Sequence, residues 1–183
     1  MRSPYPPLKD DEWPAEIAQM REGFAGGLNV YRVMGHHPAM LRSWANFRNH
    51  VVKENTLGPQ RSEVVILRAG FRMQASYEWN HHVSRARACG MDDRRIETIR
   101  GPADQMAPQD ATLARAVDAL LDDRKLPEEI RAELETLVGK EGVFDVIATV
   151  GLYSILGYIV RSFNTPLDDD IARELEGSPL RMG

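Results

Sequence analysis

The apolar run over residues 143–160 constrains this chain more than any other stretch. It is interrupted by Asp145, Thr149 and Ser154, carries Gly151 and Gly157, and follows Gly142. Those interruptions and the Tyr153/Tyr158 pair fit a helix packed on all sides, or one face of a subunit interface, better than a membrane span. Almost every other segment also shows a helical period, and alternating β-branched runs are absent. The expected class is all-α. A length of 183 residues with 43% hydrophobic content suits one core and a single domain over 1–183, with its body at about 24–168 and an extended start at 1–11.

Punctuation residues divide the helices. Pro14 opens a first element that Gly26 and Gly27 close, and 28–34 is a short second one. Pro38 opens a helix to about residue 53 that buries Leu41, Trp44, Phe47 and Val51. Asn55, Thr56, Leu57, Gly58 and Pro59 form a connector. The next helix starts at 60–62 and carries Val64, Val65, Leu67 and Phe71 inward. Another follows and ends at Cys89 and Gly90, glycine being favoured just past a helix end. Asp92 or Asp93 caps a short helix to about 100, and 102–109 is a loop. Helices are then expected over 110–122, 127–139, 144–163 and 169–176.

A net charge of −4 without a basic stripe argues against nucleic acid as a partner. Residues 1–11 lack the apolar run of a secretory signal, which predicts a cytoplasmic protein. The one cysteine, Cys89, leaves neither an intrachain disulfide nor a Cys-x-x-Cys pair. Two histidine pairs, His36/His37 and His81/His82, do not suggest a metal, because adjacent helical residues point about 100° apart.

Glu78 and His82 stand four residues apart, which on a helix stacks a carboxylate on an imidazole. A carboxylate holding one ring nitrogen fixes the tautomer and leaves the other nitrogen for proton transfer near neutral pH. The same spacing is also common on solvated helix faces. Glu63 lies too far back to join the pair on one straight helix, since fifteen residues rise roughly 22 Å. A chain reversal at 73–75 would make an antiparallel hairpin instead, bringing Glu63 opposite the turn that contains His82 and Arg85. Tyr77 and Trp79 would flank the pocket as substrate-binding residues. Arg68 or Arg72 would anchor a carboxylated substrate, against the alternative of a surface arginine.

The run from Leu57-Gly58-Pro59-Gln60-Arg61-Ser62-Glu63 through Tyr77-Glu78-Trp79-x-x-His82 to Ala86-x-x-x-Gly90 resembles the carboxymuconolactone decarboxylase family of the alkylhydroperoxidase D-like superfamily. The resemblance is most specific over 57–100 and weaker over 24–56 and on to about 168. In the peroxidase branch a glutamate, two cysteines and a histidine form a proton relay. Glu63 and His82 match the outer members, while Ala75 and Glu78 replace the cysteines; Glu78 and His82 match the Glu-x-x-x-His pattern of the decarboxylase-like branch. The resemblance implies a helical bundle assembling as a homotrimer or homohexamer, with no required cofactor. It implies a lyase acting on a small carboxylated or lactone-type substrate, with His82 as general acid/base, Glu78 orienting it and Glu63 as second proton carrier or polariser. A peroxidase-like activity and an idle ligand-binding oligomer are the alternatives.

Overall fold

The computed structural model describes residues 3–180, and among these no strand occurs. Residues 3–11 form no helix and include bends at 4–5 and a turn at 10–11; residues 1 and 2, part of the segment expected to be extended, lie outside the described residues. A 3-10 helix spans Ala15–Glu22. The α-helices are α1 Asn29–Met34, α2 Pro38–Asn49, α3 Pro59–Arg72, α4 Ser76–Ala88, α5 Asp93–Thr98, α6 Pro108–Asp122, α7 Glu128–Ser162 and α8 Asp169–Gly177. A π-helical turn, His50–Glu54, continues α2.

Local chemistry sets these bounds. Proline stands in the first turn of α2, α3 and α6, where its missing N–H costs no helical hydrogen bond. Asp92 caps α5 by accepting from Arg95 N. The chain reverses between α3 and α4 through Gln74, at φ 55, with Ala75 N donating to Gly70 O and Gln74 N to Phe71 O. That is the reversal expected at 73–75. Within α7, Gly139 takes φ 75, so the element is two helices, 128–138 and 140–162, joined at a kink. The break falls where the sequence pattern separates 127–139 from 144–163.

The helix buried from every side is α3. Val64, Val65, Leu67 and Ala69 are fully buried, and each large apolar side chain so placed contributes about 1.5–3 kcal/mol. On one side α3 meets α4, α6 and α7 through Val83, Leu113, Val117, Leu134 and Val146. On the other, Ile66 joins Tyr31, Leu41, Trp44, Leu152 and Leu156.

The helix over 144–163, expected either packed on all sides or presenting one face to a subunit interface, is enclosed by the chain itself on only one face. Val146 and Leu152 are buried, yet Phe144, Ile147, Ile155 and Tyr158 are 65%, 42%, 43% and 63% exposed. Their helical spacing places them, with exposed Gly151, on one stripe. By length and composition α7 could cross a membrane, and 56% of its apolar window is buried in the fold. Phe47 is also exposed, against expectation: α2 packs through Leu41, Trp44 and Arg48, and the guanidinium of Arg48 takes the inner place over the Phe24 ring. Phe71 remains partly exposed, edge-on to Trp79.

Candidate functional site

The hairpin brings Glu63 of α3 to His82 of α4, with Glu63 Oε2 2.6 Å from His82 Nδ1. The other ring nitrogen, Nε2, is 4.0 Å from Glu78 Oε2. All three predicted acid/base residues therefore stand in one row, with the imidazole between two carboxyl groups. The sequence reading gave Glu78 the orienting role; the direct hydrogen bond belongs to Glu63. Spacing along one helix brought Glu78 near the ring, whereas the approach of two helices decided which carboxyl bonds to it.

Burial separates the two acids. Glu78 is 4% exposed, and its Oε1 has no hydrogen-bond partner among the described residues. Desolvation pushes its pKa to about 8, only partly opposed by the positive charge of Arg85 and aided by the negative charge of Asp168. Burial likewise lowers the His82 pKa, against the opposing pull of the Glu63 carboxylate. Near neutral pH this gives a protonated Glu78 and a neutral imidazole. With Nδ1–H donating to Glu63, the Nε2 lone pair faces Glu78. Tyr153 of α7 sets its ring edge-on to His82 at 4.9 Å.

A cavity of about 450 Å³ opens over this row. The π-helical turn and the following loop supply Val51, Lys53 and Asn55; α3 supplies Ser62, Glu63 and Ile66. His82, Arg85 and Cys89 line the α4 side, and Tyr153 closes it. A second, inner cavity of about 20 Å³ lies behind, lined in part by Tyr31, Arg48, Glu78 and His81. Glu63 thus faces the open cavity and Glu78 the inner one, with His82 lining both.

Three predicted substrate contacts take other partners in the fold, and of these Tyr77 alone lines the inner cavity. Tyr77 donates its hydroxyl to Asp168 and accepts from Val30 N, so its polar end is committed to the fold. Trp79 packs in the core with Arg100 over its ring at 4.3 Å, and lines a separate hollow with Gly70 and Phe71. Arg68 grips Asp118 through Nε at 2.8 Å and Nη2 at 2.6 Å, and also donates to the carbonyls of Ile99 and Gly101. It ties α3 to α6. Arg72 likewise pairs with Asp118 and Asp122.

Other residues at the site were given no role in advance. Arg85 and Tyr153 line both cavities. Arg85 follows His82 by three residues, so the face carrying 78 and 82 already pointed to it. Asp168, just before α8, accepts from Tyr77, from Asn29 N at 2.9 Å and lies 2.8 Å from His81 Nε2. Burial raises its carboxyl, but these hydrogen bonds more than offset that and hold its pKa below the ordinary value. No local pattern announces a brace made across so much sequence. Among the described residues no three His, Cys, Asp or Glu side chains are grouped as a metal site would need.

Residues 38–122 match the carboxymuconolactone decarboxylase family. No curated protein matches the chain. Among solved structures, a variant of the debrominase Bmp8 in complex with 2,3,4-tribromopyrrole is similar at a TM-score of 0.78, with 12% identity over 97% of this chain and 98% of that one. The alkylhydroperoxidase AhpD core of an uncharacterized peroxidase-related protein from Ralstonia eutropha JMP134 also reaches 0.78, at 15% identity over 93% and 95%. A peroxidase-related protein from Silicibacter sp. TM1040 reaches 0.75 at 13% identity, over 93% and 95%. At such identities the likeness establishes an AhpD-like helical fold.

Proposed function

We propose that this chain, whose residues 38–122 belong to the carboxymuconolactone decarboxylase family, is a cofactor-independent acid/base enzyme acting on a small carboxylated or lactone-type molecule. The observation that carries this reading is the row Glu63–His82–Glu78, with one carboxyl on the wall of a ligand-sized cavity and the other sealed behind the ring. Glu63 is the group that meets the substrate, His82 passes protons behind it, and Glu78 holds a proton in reserve. This revises the expected division of labour, in which Glu78 oriented His82.

In a decarboxylation the bond to the carboxylate carbon breaks, CO2 departs, and its electron pair remains on the substrate as an enolate or stabilised carbanion. A proton delivered through Glu63 quenches that carbon; His82 and Glu78 replenish Glu63, and solvent restores the proton the row has lost. A neutral imidazole with one face to each acid suits such a transfer. The test is CO2 release or ring opening from a panel of carboxylated lactones, run with wild type and His82→Gln. Turnover insensitive to that change would remove the reading.

A two-thiol peroxidase lacks support, because Cys89 is the chain's one cysteine and burial, together with the charge of Glu63, raises its thiol pKa. An idle binding protein would bind members of the panel and convert none. The proposal includes assembly as a homotrimer or homohexamer, supported by the exposed stripe of Phe144, Ile147, Ile155 and Tyr158.

A further inference from the structure

Many arginines of this chain are occupied. Arg68, Arg87 and Arg95 hold Asp118, Asp93 and Asp110 through two nitrogens each. Arg85 is half-buried and forms no ion pair with a carboxylate among the described residues. With Val52, His82 and Tyr153 it is one of the residues lining both the open and the inner cavity. Its place on the face that carries Glu78 and His82 sets it beside the acid/base row.

A guanidinium presents a planar fork of donors matched to a carboxylate, and withdrawing it from water without a counter-charge is costly. Such a group on a cavity wall is prepared for an anion. We propose that Arg85 is the anchor for a small oxyanion, first of all a carboxylate, carried by the ligand of the open cavity. The inference rests on the open cavity being the ligand site assigned above. It places the specificity for charge on a residue outside the proton row.

Glu78 then acts as a gate on affinity. Its carboxyl stays protonated up to about pH 8, so it does not compete for Arg85 at neutral pH. Once ionised, it neutralises the guanidinium and repels an incoming carboxylate. Anion and proton therefore bind together, and affinity falls as pH rises through that value. The charged and titratable neighbours come from every surrounding element: Tyr31 of α1, Arg48 of α2, Lys53 of the π-helical turn, Glu63 of α3, Tyr77, His81 and His82 of α4, Tyr153 of α7 and Asp168 before α8. Tyr31 and Tyr153 are pushed up by burial, and Cys89 at the end of α4 is pushed up as well. His82 is pushed down. Among these displaced groups, Glu78 is the one pushed to about 8, inside the range from pH 6.5 to 9.

Calorimetric titration of the full chain with benzoate, acetate and inorganic phosphate, and with benzamide as the uncharged control, tests this. Benzoate or acetate is expected to bind at pH 6.5 and to weaken by about tenfold at pH 9, while benzamide shows no such trend. Arg85→Gln should weaken the anion by about 10- to 100-fold without affecting benzamide, and Arg85→Lys should fall between. Glu78→Gln should keep anion binding and flatten its pH dependence. Thermal melts establish that each variant is folded, and the lysine variant preserves the test if the glutamine variant is not. No anion binding at millimolar concentration, unchanged affinity in folded Arg85 variants, or an unaltered pH trend in Glu78→Gln would each overturn the proposal. If Arg85-dependent binding holds but no lactone is turned over, only the catalytic reading falls; turnover that needs His82 beside normal anion binding in Arg85→Gln removes only the anchor.

Discussion

Gly70 faces Glu78 across the α3–α4 hairpin so closely that a β-carbon on Gly70 would lie 3.5 Å from Glu78 Cβ and 3.3 Å from Trp79 N. The second contact is with backbone, which yields only if α4 moves. That approach fixes how far Glu78 and His82 stand from Glu63.

Gly70→Ala is therefore expected to displace α4 by a few tenths of an ångström and to reduce turnover more than stability. An alanine in a helix interior gains up to about 1 kcal/mol over glycine, which offsets part of the strain. Kinetics beside thermal melts check this; equal turnover would mean that α4 absorbs the shift elsewhere.

Within the proton row, His82→Gln should abolish turnover, and Glu63→Gln should cost about 10²- to 10⁴-fold because Glu63 both holds the ring and reaches the cavity. Glu78→Gln should cost less, about 10- to 100-fold, as the loss of a reserve proton rather than of the contact group. Single-turnover rates on the most active panel compound would order the three. A larger loss from Glu78→Gln than from Glu63→Gln would reverse the roles assigned here.

Stability should carry the mark of Glu78 as well. Its folded-state pKa of about 8 lies above the ordinary 4.5, so the native state binds this proton more tightly than the unfolded chain does. The contribution is most favourable below about pH 4.5, declines by about 1 kcal/mol per pH unit from there to about pH 8, and is level above. Glu78→Gln removes the decline, and its melting temperature should exceed that of wild type most at pH 8. Parallel pH dependence of the two proteins in denaturant titrations would contradict this.

Cys89 lines the open cavity, but its sulfhydryl donates to Ala86 O and burial disfavours the thiolate. Cys89→Ser should retain activity within about threefold, since no step uses sulfur. Iodoacetamide should modify wild type slowly and then block turnover by filling the wall. Loss of activity in a folded serine variant would revive a redox mechanism.

The stripe on α7 predicts assembly. Light scattering at micromolar concentration should give a trimer or hexamer, and Ile155→Lys should shift it toward monomer while leaving the helix content intact. A wild-type monomer would leave the stripe without a second copy.

How much of this could be read beforehand follows from the turning of one helix. Glu63 and His82 meet because a hairpin pairs residues by their distance from its bend, and the bend was legible at 73–75. Along α4, however, each residue turns about 100° from the last. Positions 78, 82 and 85 share the site, 77 and 81 line its inner cavity but turn their polar ends to Asp168, and 79, 83 and 86 enter the core. Proximity in sequence therefore misled for Trp79, and for Tyr77 it gave the place but not the partner of the hydroxyl. Arg68 was misread for another reason, since its partner Asp118 belongs to a helix whose approach no local pattern reveals.

The widened turn at His50–Glu54 bears on how such a protein could change. A π-helical turn carries one residue more than a regular helix would use, so deleting one there would restore an α-helical path rather than tear the chain. The deletion would swing the following residues, Lys53 and Asn55 on the cavity rim among them, by about 100° while α3 and α4 stayed in register. A single lost codon at this point could thus recast what the cavity admits and leave the proton row in place.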